Sequence, residues 1–368
     1  MKTAIAIPAT LALIVFAAAR RSLTPMGLVA ATATAAAHAY HPWNMPFALL
    51  VAFFLAGTRV TKVSDAQTAV RQHGMELMVS QIKKDVKAKL TLSAAGASEA
   101  EGPRTHIQVF ANSLVASVLS ILHARQLRQR AAAYVDPNSA NPSGSMCYSY
   151  GGDLLVVGII ANYAAVAADT FSSELGILAS AQPRLITSLG LRRVPPGTNG
   201  GVTLLGLGAG LLGAVLMVTV GVLFLPSCSE ATAATLGGGA PWTVADRRVF
   251  MGFLVACGFA GTLLDSVLGA LLQRSVRDVR SGKIVEGEGG TRAMVTTTAP
   301  KASEKKPADE QRQPPSPTKG LPSRVVESGW DLLDNNDVNF LMAVTISVGS
   351  MFLASWYWGI RVEDVTKL

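Results

Sequence analysis

Long apolar runs separated by short polar connections dominate this chain. Eight of them read as membrane helices, at roughly 3–19, 25–40, 43–60, 107–123, 153–172, 202–225, 249–272 and 338–360. A spanning helix needs about 20 mostly apolar residues. The last three runs meet that length easily, while those at 3–19, 107–123 and 153–172 are marginal. The second, MGLVAATATAAAHAY, is short and rich in Ala and Thr, so it suits a re-entrant segment as well as a span. The pattern predicts an all-α polytopic membrane protein with seven or eight transmembrane helices. The first run, MKTAIAIPATLALIVFAAARRS, has the lysine, apolar core and small residues of a signal peptide. Further apolar runs follow closely and Arg20-Arg21 is unlike a cleavage site, so an uncleaved span is expected.

Two stretches break the pattern. Residues 281–326, which include TTTAPKASEKKPADEQRQPPSPTKG, are polar, Pro-rich and charged. Such a segment buries too little apolar surface to fold, and it reads as a disordered cytosolic loop. LTLSAAGASEAEG, 90–102, is a shorter stretch of the same kind. The expected organisation is a membrane domain over 1–280 with the first seven runs, the loop at 281–326, and a final helix with a short tail over 327–368 that rejoins the membrane domain. No internal repeat is visible.

Charge refines this picture. Only 15% of residues are charged, and the mean hydropathy is +0.35; a soluble domain carries roughly 25%. Eight Lys and Arg lie in 58–106, three in 182–201 and eleven in 273–337. If those loops are cytosolic, all eight runs alternate consistently and both termini lie on the far side. Arg125, Arg128 and Arg130, and Arg247 and Arg248, then fall in far-side loops, against the rule. The net charge of +8 reads as loop charge, and no nucleic-acid motif accompanies it, so no nucleic-acid partner is expected. Cys147, Cys228 and Cys257 form no CxxC and the five histidines no HExxH, which argues against a zinc site. Cys147 and Cys228 share the far side, where a disulfide is conceivable.

Four polar clusters stand at helix ends or inside apolar runs: ADTFSSELG (168–176), PPGTNGGVT (195–203), GTLLDSVLGALLQ (261–273) and DLLDNNDVN (331–339). The orientation puts all four at the cytosolic face. Each has a plain structural reading. Thr198 and Asn199 suit a helix cap, as does Asp334-Asn335-Asn336. Gly206, Gly208, Gly210 and Gly213 read as close-packing positions. Asp265, about two turns inside an apolar helix, is the hardest to read that way, because an ionisable residue at membrane depth is a functional candidate by default.

The set has a chemistry. GTNGG ahead of a helix N-terminus offers free backbone N–H groups suited to phosphate, although no GxxxxGK[ST] occurs. Arg184, Arg192 and Arg193 lie close by for bidentate phosphate contacts. Carboxylates on separate helices beside a phosphate cradle suit Mg²⁺ with its own waters, and this is equipment for phosphoryl transfer. A site at the lipid boundary suggests an acceptor with a lipid tail.

ADTFSSELG, PRLIT, VPPGTNGGVT, LLDSVLGALLQ and DNNDVN, in this order, resemble the integral membrane family that includes transmembrane protein 19 and plant phytyl-phosphate kinase. RRSLTPMGLVAA, FFLAGTRVTKV and RTHIQVFANS fit its N-terminal half. Phe171-Ser172 stands where that family more often has Trp-Ala, a change of packing rather than chemistry. The resemblance implies an isoprenyl-monophosphate kinase that makes an isoprenyl diphosphate from CTP or another nucleoside triphosphate. In that reading Asp169 and Asp265 hold Mg²⁺ and Glu174 supports them. Gly197, Thr198, Asn199, Gly200, Gly201 and Thr203 cradle the nucleotide phosphates, and Arg184 neutralises charge. Asn335 and Asn336 complete the site. Arg104, Gln108 and Asn112, spaced four apart on one helix face, meet the lipid phosphate. The alternatives are a transporter or lipid scramblase using the same buried polar residues, and a membrane adaptor working through the 281–326 loop. An endoplasmic reticulum or other endomembrane is expected, with a plastid membrane as the other setting.

Overall fold

The computed structural model describes residues 3–66, 91–93, 103–136, 144–287 and 324–360. All eight apolar runs are helical: α1 (Thr3–Ala19), α2 (Pro25–Ala39), α3 (Met45–Ala66), α4 (His106–Val135), α5 (Leu154–Gly176), α6 (Leu204–Phe224), α8 (Val244–Leu272) and α9 (Asn335–Trp358), with a one-turn α7 (Glu230–Ala233) between. Local chemistry starts and stops them. Thr24 caps α2, Thr203 caps α6, and reciprocal capping boxes open α4 (Thr105 with Gln108), α8 (Thr243 with Asp246) and α9 (Asp334 with Asp337). Gly359, in the left-handed region, ends α9.

Among the described residues five helices, α4, α5, α6, α8 and α9, are long and apolar enough to cross a membrane; α1 and α3 hold shorter apolar lengths, 6–19 and 45–61. The architecture is therefore mostly helical. α5 is its axis, with every residue from Leu154 to Ala168 buried. Small residues let its neighbours approach closely. A Cβ on Gly258 or Gly261 of α8 would lie 2.7 or 2.5 Å from the Cβ of Ala164 or Ala165. One on Gly213 of α6 would lie 2.7 Å from the Ala167 carbonyl oxygen. Gly206 and Gly210 make similar contacts with α5, but Gly208 faces open space. Its assignment to helix packing is corrected: it lies two residues from Gly206 and Gly210, on another side of the helix.

Several helices extend past their apolar runs, and in two of them the extension carries arginines. α4 continues to Val135, so Arg125, Arg128 and Arg130 are helical rather than loop residues. The Arg128 guanidinium stacks 3.7 Å from the centre of the Tyr40 ring, and Arg130 pairs with Asp153. α8 begins at Val244, which places Arg247 and Arg248 in its first turns. The apolar run marks the membrane-crossing part of a helix and underestimates the whole.

The chain also forms some sheet, beyond the all-α expectation. β2 (Arg184–Leu185) and β3 (Gly201–Val202) pair antiparallel. β1 (Thr91–Ser93), β4 (Ser275–Asp278), β5 (Ile284–Glu286) and β6 (Arg324–Ser328) form a sheet in the order β1-β5-β4-β6. β1 is parallel to β5, and β4 is antiparallel to both β5 and β6. The stretches read as disordered therefore contribute strands at 91–93, 284–286 and 324–326. Short β-branched runs such as Ile284-Val285 and Val325-Val326 suit strands even inside a polar segment. Residues 94–102 and 288–323 lie outside the described residues.

At the end of the bundle where α5 begins, Cys147 and Cys228 form a disulfide with Cα atoms 5.0 Å apart. It joins the loop before α5 to the loop after α6. At the same end Tyr148, next in sequence to Cys147, begins a run of ring contacts through Trp242 and Phe250 to Trp358.

Candidate functional site

At the opposite end of the bundle the four polar clusters meet. Asp169 sits on the last turns of α5 and Asp265 two turns before the end of α8. Their carboxyl groups are in hydrogen-bond contact with each other. Both are half-buried. Asn339, one turn into α9, brings its side-chain amide 3.0 Å from Asp265 Oδ2, and with the amide turned so that Nδ2 faces that oxygen it donates to it. Three helices thus deliver oxygen ligands or donors to one point. Two like charges this close favour a cation or a proton between them.

The GTNGG loop reaches the same point because Gly200 permits it. Gly200 has φ +76°, and a Cβ there would lie 2.3 Å from the Ala270 Cβ and 2.6 Å from the Ser266 carbonyl oxygen. Glycine alone meets both demands. The loop therefore rests on the last turns of α8, directly beyond Asp265. The Asn199 N–H donates to Ser275 Oγ at 2.9 Å and holds it there.

The expected cradle of free N–H groups is corrected in part. Thr198 N–H and Oγ1 both donate to the Pro195 carbonyl, at 3.2 and 2.7 Å, and Gly201 N–H donates to the Thr198 carbonyl at 2.9 Å. With Asn199 held by Ser275, the turn uses three of its own amides for its shape, since a tight turn must satisfy its donors internally. Gly197, with φ +86°, and Gly200 keep amides outside that internal set among the described residues. Thr203 Oγ1 accepts from Gly206 N–H at 3.0 Å. The capping role therefore belongs to Thr203 rather than to Thr198 or Asn199.

Arg184 stands at this end through the pairing of β2 with β3, opposite Val202. It is exposed, and its Nη1 donates to the Leu191 carbonyl at 3.2 Å. Arg192 is held by Glu327 at 3.0 Å, and Glu327 also accepts from Arg277 at 2.9 Å. Asn335 Oδ1 accepts from Gln273 Nε2 at 3.5 Å, which ties the start of α9 to the end of α8. Asn336 is buried in the first turn of α9, where its N–H and that of Asp337 donate to the Asp334 carboxylate. The cap reading of this motif holds for Asp334. Glu174 lies five residues beyond Asp169, roughly 140° further round the helix, beside the carboxyl contact rather than in it.

Arg104, Gln108 and Asn112 stand at the start of α4, and among the described residues no contact links them to the carboxyl pair. Backbone bonds at 3.0 Å tie Arg104 to Ser22 and Thr24. Gln108 Oε1 accepts the Thr105 N–H at 2.8 Å as part of the capping box. Asn112 Nδ2 donates to the Gln108 carbonyl at 2.9 Å, and its own carbonyl accepts from Asn162 Nδ2 at 3.2 Å. The shared face of Gln108 and Asn112 serves helix capping and packing against α5.

Sequence reasoning included Asn339 in the DLLDNNDVN cluster but gave it no role, although it lies four residues from Asn335 and so on the same helix face. It missed a second buried polar network at the disulfide end. His41 Nε2 and His123 Nδ1 are 2.8 Å apart, and His123 Nε2 and Asp153 Oδ2 are 3.2 Å apart. Arg130 donates to both Asp153 oxygens. Burial works against the Asp153 charge, but the hydrogen bonds from His123 and Arg130 outweigh it and hold the carboxyl below its usual range. Burial, and then the neighbouring His123, push His41 far below the ordinary imidazole value. Nearer the middle of the bundle, the Tyr163 hydroxyl meets His38 Nε2 at 2.7 Å, and Ser347 Oγ donates to Asn162 Oδ1 at 3.3 Å. These histidines are scattered in sequence, and only the fold gathers them.

Comparison with known proteins agrees with the membrane reading. A family model described as integral membrane protein DUF92 matches residues 8–347. Protein PGR of Arabidopsis thaliana is 29% identical over 316 residues, which is 83% of this chain and 82% of that protein. An uncharacterized membrane protein of Methanocaldococcus jannaschii is 37% identical over 125 residues, 34% of this chain and 43% of that one. No solved structure matches.

Proposed function

This chain belongs to the DUF92 family of integral membrane proteins, and on that premise we propose that it is an isoprenyl-monophosphate kinase. It would transfer a phosphoryl group from CTP or another nucleoside triphosphate to an isoprenyl phosphate, from seven or eight spans in an endomembrane. The observation that carries the reading is the contact of Asp169 with Asp265, beside a glycine loop docked on the same helix end. Among the described residues no group of three or more His, Cys, Asp and Glu gathers as a metal cage. Two carboxylates with the rest of the shell left to water and phosphate oxygens is the donor set Mg²⁺ prefers. Asp169 and Asp265 would hold that ion, which supplies charge neutralisation to the transferring phosphoryl group. Asn339 fixes the Asp265 carboxylate, Gly197 and Gly200 offer their amides to the donor phosphates, and Arg184 stands at the rim to offset charge. The acceptor phosphate is already anionic, so no protein base is required.

The test uses purified protein in detergent with Mg²⁺, CTP or ATP and a panel of isoprenyl monophosphates, with the diphosphate read by mass. Product from the native chain but not from Asp169→Asn or Asp265→Asn supports the kinase. No product with any donor or chain length, from folded protein, overturns it. A second reading, transport or scrambling, gains from one observation. Buried or half-buried polar groups stand at three levels along α5, at its N-cap Asp153, at Asn162 with Tyr163, and at Asp169, rather than at one face only. A flux assay in vesicles separates the two.

A further inference from the structure

We propose that the turn at 188–191, with its flanking arginines, is an anchor that seats on anionic phospholipid headgroups of the leaflet at the site end of the bundle. The turn reads Ser188-Leu189-Gly190-Leu191. Leu189 is fully exposed at 109% and Leu191 is 46% exposed. Leu191 also holds φ +45°, a left-handed conformation that a leucine adopts at a cost. The turn is braced into that shape. Leu191 N–H donates to the Ser188 carbonyl at 2.8 Å, Ser188 N–H donates to the Leu185 carbonyl at 3.2 Å, and the Leu191 carbonyl accepts from Arg184. A rigid turn that projects two leucines into water has no folding rationale, because burying such side chains is what stabilises a fold.

The surroundings identify what covers it. Residues 175–229 contain no Asp or Glu, while Arg184, Arg192 and Arg193 flank the turn. The Arg192–Glu327 ion pair brings the segment after β6 alongside, where Trp330 is 73% and Leu332 54% exposed. β3 leads from the same hairpin directly into α6, a membrane-crossing helix whose Leu204 is 89% exposed at its start. Apolar side chains, an interfacial tryptophan and the cations of Arg184 and Arg193, which have no ion pair among the described residues, beside a helix entering the bilayer match a leaflet surface in both polarity and sign. The anchor stands whether or not the carboxyl site is a kinase.

The test places a nitroxide at Leu189→Cys in full-length protein also carrying Cys257→Ala, reconstituted in nanodiscs. Collisional access to oxygen and to a nickel chelate is compared in neutral phosphatidylcholine and in discs with added phosphatidylserine, with Arg280→Cys as the aqueous reference. The proposal expects oxygen access to exceed nickel access at position 189 in the anionic discs. Arg193→Gln should reduce the shift between the two lipids by roughly fivefold, the loss expected for one basic residue near an anionic surface. A label that behaves as the reference does in both discs overturns the anchor and leaves the turn as a surface for a protein partner. Equal insertion in both lipids, unaltered by Arg193→Gln, overturns the anionic preference.

Discussion

The two ends of this bundle hold buried acids in opposite ways. At the disulfide end Asp153 faces Arg130 and His123, so its charge is answered within the protein. At the other end Asp169 faces Asp265, an acid against an acid, with the Asn339 amide as the donor to the pair among the described residues. An answered charge is finished structure. A pair of like groups is unanswered within the protein, and in the proposed kinase it would hold a cation. Chain punctuation follows the same division. The disulfide end is tied by Cys147–Cys228 and packed with aromatic rings, whereas the acid end is built from a glycine loop and exposed turns. One end is closed by covalent and aromatic contacts, and the other is the end proposed to take ligands.

The sharpest way to break that contrast is to neutralise one acid at each end. Asp265→Asn should leave the protein folded and reduce turnover by roughly a hundredfold or more, in the range for removal of one preorganised electrostatic group. Measured with melting temperature alongside activity, it should move only the second. Asp153→Asn should do the reverse, because it strands Arg130 and His123 without their acceptor and costs about 3 kcal/mol or more of stability. If Asp265→Asn unfolds the protein and Asp153→Asn abolishes turnover without loss of stability, the assignment of the two ends is inverted.

The disulfide comes next. Cys147→Ser should lower stability by about 2–4 kcal/mol, read as a lower melting temperature in non-reducing detergent, while the proposed kinase turnover at temperatures well below melting stays near native. Such bonds persist in oxidising compartments, and the orientation argued from Lys and Arg counts puts these two cysteines on the far side. A bond that forms only after lysis, detected by trapping thiols in intact cells, contradicts that orientation.

Much of this was legible in the sequence, and the failures share a cause. Hydropathy located all eight of the longer helices among the described residues, because apolar length shows in each run separately, and five of them are long and apolar enough to cross a membrane. Polar placement at helix ends brought Asp169, Asp265, GTNGG and DNNDVN together, because a crossing helix must alternate faces. Hydropathy missed what depends on pairing between distant residues. Arg125, Arg128 and Arg130 looked like loop residues until Tyr40 and Asp153 provided partners. Gln108 and Asn112 looked like ligands until local capping claimed them. The strands at 284–286 and 324–328 need each other's neighbour β4 and are invisible in either segment alone.

The pH response separates the ends more gently. His41 has a folded pKa far below its unfolded value of 6.5, so below about that pH the unfolded chain binds a proton that the folded one refuses. Stability must therefore fall as pH drops through 6.5, by up to about 1.4 kcal/mol per pH unit for one proton. Asp153 adds a second loss only below its unfolded value of 3.8, since its folded pKa is lower still and its contribution is present above 3.8. In thermal melts between pH 7.5 and 5, His41→Gln should lessen the loss of stability on acidification. A slope unchanged by that substitution assigns the acid sensitivity to another group.

The smallest effect tests the helix contacts that hold both ends in register. Gly213→Ala places a methyl 2.7 Å from the Ala167 carbonyl oxygen and 3.1 Å from the Phe171 ring, so α6 must move away from α5. Overpacking of this kind typically costs about 1–3 kcal/mol. Gly208→Ala meets nothing within 4 Å, and in a helix interior alanine is favoured over glycine by about 1 kcal/mol. The two substitutions lie five residues apart on one helix and differ by a single methyl each, yet melting temperature should fall for the first and hold or rise slightly for the second. Equal losses at both positions mean that α6 is gripped on a second face, by a helix or a second copy of the chain, and the exposed side of Gly208 is then an interface rather than lipid.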